Sequence, residues 1–330
     1  MQTPALIVDL DVLEANIRTM AAALPGDRLR PHVKAHKCTA IARLQRDLGG
    51  HRGFTCATVR VVVGLAAVGL GDDLLLANEV LDCTRLGALT DVARVTVAVD
   101  SPETIAAAAR GGVREVMIDV DVGLPRCGCA VDDAGGLAEL ARSSGLEVRG
   151  VMGYEGHSTA VRDRAERAAS VEAAMTKLLR AHDDVGGDVV SAGATVTYEL
   201  NTWATEIQAG TYVLMDSHYG PLTPEFGQAL LLECDVISVS PRGWAVANGG
   251  LKCLGMDHGD PVLADGAGDV LFVSDEHITF TPSSDHRVAV GDRVRFVPAH
   301  VDPTVAYHDH LVVRRRDTQV DEWPVDLRGW

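Results

Sequence analysis

Two short stretches of this chain hold side chains whose type and spacing suit covalent or metal-assisted chemistry. In Arg30-Pro31-His32-Val33-Lys34-Ala35-His36-Lys37-Cys38 a lysine stands at the exit of a predicted strand, where an amine is held rigidly. A solvated surface lysine is the plainer alternative, and Lys37 is read that way. In Pro298-Ala299-His300-Val301-Asp302-Pro303 an imidazole and a carboxylate lie two residues apart. In an extended segment such residues point the same way and can grip one ion. The pair suits a borderline-to-hard divalent ion, Mn²⁺ foremost, with Mg²⁺ and Zn²⁺ as alternatives and water completing the shell. A solvated His and Asp in a turn is the competing reading.

Further polar residues fall just after predicted strands. Arg126 follows one; Tyr154 and His157 close the next, in Gly153-Tyr154-Glu155-Gly156-His157. Arg126 and Tyr154 read equally as salt-bridged or packed residues. The small-residue loop Ser191-Ala192-Gly193-Ala194-Thr195 offers backbone amides and hydroxyls that can cradle a phosphate, or is an ordinary tight turn.

The elements that must position these groups alternate. β-type runs at 29–34, 53–58, 73–78, 95–100, 115–121, 147–154, 188–193 and 212–216 are separated by helical patterns such as 59–68, 102–109 and 162–182. Strands alternating with helices predict parallel βα units, and eight of them match a closed (β/α)₈ TIM barrel, which keeps its chemistry at the strands' C-terminal ends. No Gly-x-Gly-x-x-Gly follows the first strand, which counts against a dinucleotide fold. From residue 230 the pattern becomes β-rich, with Gly, Pro and Asp turns. The reading is a barrel over 11–229 and a β-rich domain over 230–330 that residues 1–10 join.

Composition bounds the function. The formal net charge of −16 argues against a nucleic-acid partner, which needs clustered Lys and Arg; solubility explains the charge as well. No apolar run approaches the ~20 residues that span a bilayer. The start Met1-Gln2-Thr3-Pro4 lacks signal-peptide features, and the seven cysteines are scattered, so a cytoplasmic location is expected. The spacing of Cys127-Gly128-Cys129 fits neither a redox nor a zinc-ribbon pair, and those thiols are read as structural.

Together, Thr3-Pro4-Ala5-Leu6-Ile7-Val8-Asp9, the lysine motif, the 153–157 motif and Ser191-Ala192-Gly193-Ala194-Thr195-Val196-Thr197-Tyr198-Glu199 resemble the D-threonine aldolase and D-serine dehydratase family. These are fold-type III pyridoxal phosphate (PLP) enzymes related to alanine racemase. The resemblance implies that Lys34 carries PLP and acts as acid/base at Cα. It implies that Arg126 contacts the phenolic oxygen and Tyr154 the pyridine nitrogen. It places Gly193, Ala194 and Thr195 at the phosphate, with Tyr212 beside it, and His300 and Asp302 on the metal. The dehydratases typically carry His-x-Cys there, so His-x-Asp points to the metal-activated aldolases. The implied reaction is cleavage of D-threonine and other D-β-hydroxy-α-amino acids to glycine and an aldehyde. His157 is the expected base, the role an imidazole commonly takes. Dehydration of D-serine or 3-hydroxyaspartate, and a non-catalytic PLP-binding protein, are the alternatives. A head-to-tail homodimer is implied as well. Val61 and Asn248 depart from the family's usual Glu and Asp.

Overall fold

The computed structural model describes residues 2–330, which form two compact units. One holds residues 20–34, Ile41–Gly210 and Gly329–Trp330, the other residues 2–19, Ala35–Ala40 and Thr211–Arg328.

The first unit is an α/β barrel. Parallel strands Gly53–Cys56, Asp73–Leu76, Val95–Val99, Glu115–Asp119, Glu147–Met152, Val189–Ala192 and Glu206–Ile207 pair in chain order. Most are buried along nearly their whole length, as expected where both faces of a parallel sheet are covered. Residues 29–32 complete the ring. Leu29 bridges Ile207 and His32 bridges Thr55, both in parallel. The helices start where the local chemistry directs. Thr58 and Ser101 cap Val59–Ala67 and Pro102–Arg110, and the Asp163 carboxylate accepts two amides at the start of Arg164–Val185.

Two expected strands differ from the structure. The run at 29–34 pairs only through bridges, because Pro31 has no N–H to give and the chain tightens into a 3₁₀ turn at Val33–Ala35. The run at 212–216 is not a strand. Thr211–Val213 is a 3₁₀ turn in the second unit, and the eighth barrel position belongs to Glu206–Ile207. Tyr212 and its apolar neighbours Val213, Leu214 and Met215 are buried. Periodicity alone cannot tell such a short run from a strand.

Charged residues knit the N-terminal ends of the barrel strands. Arg30 is buried and donates to Asp73 and Glu206 at 2.8 Å each. Arg149 reaches Asp73 at 2.8 Å and Thr96 at 2.8 Å. Burial alone would raise the Asp73 carboxyl, but Arg149 and Arg30 hold it well below the usual range. That end is stapled, which leaves the opposite rim for chemistry.

The second unit is organised by a nine-stranded sheet in which Ala5–Asp9 lies between Leu230–Val239, antiparallel, and His310–Arg315, parallel. Asn248 accepts the Asp235 N–H at 2.8 Å and donates to the Thr3 hydroxyl at 2.9 Å. Glu233, 2 % exposed at its side chain, meets Arg293 at 2.7 Å, Arg314 at 2.9 Å and Arg295 at 3.1 Å. No helix among the described residues is long and apolar enough to cross a membrane.

Burial raises the Glu233 carboxyl, yet its three arginines override this and hold it at about 2, below its usual 4.5. A depressed carboxyl stabilises the fold above its unfolded value and loses that contribution as pH falls through the folded one. Urea midpoints of the wild type should therefore decline between pH 4.5 and 2 more steeply than those of Glu233→Gln. The difference should reach up to about 3 kcal/mol. Equal slopes would show that the cluster contributes nothing in acid.

Candidate active site

In the barrel unit Lys34 sits in the 3₁₀ turn directly after the His32–Thr55 bridge, half-buried, with its N–H 3.4 Å from His32 Nδ1. The turn fixes where the side chain leaves the backbone. His157 lies in the 3₁₀ segment Gly156–Ala160, and its Nδ1 is buried with no hydrogen bond. Gly123 makes room for that ring. Its φ is +136°, and a Cβ there would stand 2.9 Å from His157 Cε1. The Arg126 guanidinium lies 5.2 Å from the centre of the Tyr154 ring, a cation–π distance. The structure thus brings Arg126 and Tyr154 together and sets the 121–126 loop against His157.

Acidic residues on the same loops escaped the sequence reading. Asp119, 4 % exposed at the end of its strand, is pushed well above the usual carboxyl range by burial and then by Glu79; Arg126 acts against them. A hydrogen bond to Glu79 and burial raise the Cys127 thiol to about 11, and burial raises Cys129 to about 12. Neither thiol is poised as a nucleophile, in keeping with the structural reading.

The phosphate loop is narrower than its composition promises. The Gly193 N–H donates to Glu155 Oε2 at 3.0 Å and the Ala194 N–H to Thr197 Oγ1 at 2.9 Å. The Ser191 hydroxyl accepts from Gln208 at 2.8 Å. Gly193 itself is required by its φ of +89° and by Ile207, 2.8 Å from where a Cβ would stand. These groups serve the loop's own fold.

The second unit carries the metal candidates. His300 ends an extended stretch, and Asp302 falls in the first turn of the helix Val301–Ala306, so the segment is not extended throughout as expected. The turn still sets His300 Nε2 3.7 Å from Asp302 Oδ2, a gap that one divalent ion with bonds of about 2.1 Å can bridge. Both Asp257 oxygens lie behind the imidazole, 2.9 and 2.8 Å from His300 Nδ1. A carboxylate only accepts there, so Nδ1 carries the proton and Nε2 keeps its lone pair toward Asp302. Burial raises the Asp257 carboxyl, but the His300 contact holds it below the usual range. Asp216 is fully buried, takes the Tyr219 and Val301 amides at 2.9 and 3.2 Å, and is pushed up to about 6 by burial. It anchors the turn that presents the pair.

His258 stacks on His300 with ring centres 3.9 Å apart and planes 9° from parallel. Burial, then the neighbouring His300 and His218, lower its pKa. Asp257, His258 and His300 lie close enough together to surround an ion. His300 Nδ1, however, already faces Asp257. We therefore take His300 Nε2 and Asp302 as the metal-facing atoms and Asp257 as the group that orients them. No local pattern points to Asp257, and His258 reads from the sequence as an ordinary packing histidine; the Gly255–His300 bridge brings both in. His308 bonds the Cys253 carbonyl at 3.0 Å, and Asp275 and Glu276 pair with Lys252, so none of these joins the metal pair. Tyr212 is fully buried and its ring centre lies 5.7 Å from that of Phe226.

The donor set fits both groups that the resemblance implies. A half-buried amine at the barrel rim, a guanidinium on a phenol ring and a buried, unbonded imidazole nitrogen suit a pyridoxal cofactor. An imidazole and carboxylate backed by a second carboxylate suit a divalent ion.

Residues 8–218 match the family described as alanine racemase, N-terminal domain, and residues 229–314 the putative serine dehydratase domain. The chain is 34% identical to a D-threonine aldolase of an Arthrobacter species, over 100% of this chain and 93% of that one. It is 33% identical to a 3-hydroxy-D-aspartate aldolase of Paracoccus denitrificans, over 100% and 92%. The crystal structure of a D-threonine aldolase from Filomicrobium marinum superposes with a TM-score of 0.93 at 32% identity, over 100% of this chain and 96% of that one.

If Asp257 orients the metal histidine, Asp257→Asn should weaken Mn²⁺ or Zn²⁺ binding by about 10- to 100-fold. Titration against a competing chelator measures this, and the unfolding temperature of the metal-free protein should barely move. Wild-type affinity in the variant would remove Asp257 from the site.

Proposed function

Because this chain belongs to the alanine racemase-like family of D-threonine aldolases and 3-hydroxyaspartate aldolases and dehydratases, we propose that it is a PLP- and divalent-metal-dependent aldehyde-lyase. It would cleave D-threonine and other D-β-hydroxy-α-amino acids, reversibly, to glycine and an aldehyde. The observation that carries this reading is the His300–Asp302 pair with a carboxylate behind the imidazole, a built place for an ion that activates a hydroxyl.

Bound PLP supplies an electron sink for cleavage at Cα, and a bound divalent ion supplies Lewis acidity to the β-hydroxyl. The chain's own residues do the rest. Lys34 would hold the cofactor through Nζ and return a proton to Cα after the aldehyde leaves. Arg126 and Tyr154 would flank the cofactor ring, their mutual contact fixing both. The loop of Gly193, Ala194 and Thr195 would hold the phosphate, with Tyr212 beside it. His157 would take the β-hydroxyl proton; its Nδ1 is buried and makes no hydrogen bond within the protein. His300 Nε2 and Asp302 would hold the ion, Mn²⁺ foremost.

Dehydration is the second reading, favoured by the match of residues 229–314 to the serine dehydratase domain.

Product identification separates the two. With D-threonine, PLP and Mn²⁺, the aldolase gives glycine and acetaldehyde, whereas dehydration gives 2-oxobutanoate and ammonia. Chelation should cut turnover on the order of 100-fold or more. Keto acid as the main product would replace the aldolase reading, and no product at all would leave a binding protein. His157→Asn should release acetaldehyde about 10²- to 10⁴-fold more slowly while exchange of the glycine α-proton persists. Near wild-type cleavage would pass the base role to another group.

A further inference from the structure

Glu155 is fully buried and has no part in the chemistry outlined above. Its Oε2 accepts the Gly193 N–H at 3.0 Å, and its Oε1 accepts the Thr197 hydroxyl at 3.0 Å and the Asn201 amide at 3.2 Å. Three donors converge on a group that does nothing but accept. Its chain neighbour is Tyr154, and His157 follows two residues later. One carboxylate thus ties the segment bearing the ring-side and base residues to the loop assigned to the cofactor's phosphate.

We propose that Glu155 is a positioning residue that shapes the phosphate site. It rests on the cofactor reading given above. The carboxylate takes the first loop amide, Thr197 takes the second through its Oγ1, and the hydroxyl of that same Thr197 closes back on Glu155. The loop is held by its inner side. The shape of the 193–197 loop is thereby set before an anion arrives. Without Glu155 the Gly193 amide would lose its acceptor. The loop would then be drawn to the incoming anion instead of presented to it. Glutamine substitutes poorly, because its NH₂ would face either the Gly193 N–H or the Asn201 NH₂, a donor against a donor. The Asn201 carbonyl is already committed to the Ala204 N–H at 3.2 Å, so that side chain cannot turn over to receive it.

The test titrates PLP into the apoproteins of wild type, Glu155→Gln and Thr197→Val, and records the ³¹P NMR shift of the bound cofactor and apoprotein unfolding. The expected result is a loss of PLP affinity of about 10- to 100-fold in both variants, the size of one lost charge-assisted hydrogen bond. The ³¹P resonance should move toward that of free cofactor, and kcat should recover at saturating PLP. Thr197→Val keeps the test decisive if Glu155→Gln does not fold. Wild-type affinity and an unmoved ³¹P resonance would overturn the positioning role and leave the cofactor reading standing. A wild-type apoprotein that binds no PLP would overturn both.

Discussion

The barrel depends on a buried guanidinium. Residues 29–32 pair with their neighbours through single bridges, too few hydrogen bonds to hold a segment by themselves. Arg30 supplies what is missing. Buried between Asp73 and Glu206, it pins the segment to the first residues of two strands on either side of the gap. Breaking such a pair from one side leaves an uncompensated buried charge, which typically costs about 3–5 kcal/mol. Lys34 lies four residues on, past one bridge and into one tight turn, so its placement follows from this closure.

The same logic of paired, oriented charge recurs in each set of candidate groups. His300 is held from behind by Asp257, which decides which nitrogen is left to face Asp302. The loop after Ala192 is held from behind by Glu155. In both, a carboxylate settles the geometry of a group proposed to bind. Orientation before binding is what makes a site precise, because no rearrangement is then required when ligand arrives.

Much of the barrel was legible in the sequence because buried parallel strands are written as apolar runs, as in Leu74–Leu76 or Val95–Val99. Glu206–Ile207 was not, because two residues, one of them charged for Arg30, make no pattern. The lysine and His-x-Asp motifs stand out in the sequence because the residues that compose each lie within a few positions of one another. Asp257 was invisible because it reaches His300 across 43 residues through a bridge no local pattern encodes. Glu155 stood inside a motif already singled out, yet its meaning lies in donors 38, 42 and 46 residues away.

Lys34 is the residue proposed to carry the cofactor, and the roles proposed for Arg126, Tyr154 and His157 rest on it. Borohydride reduction of the PLP-loaded protein, followed by peptide mapping, tests it most directly. The account predicts a phosphopyridoxyl group on the peptide's Lys34 and loss of the visible absorbance band. A label on Lys37, or on no lysine, would contradict it.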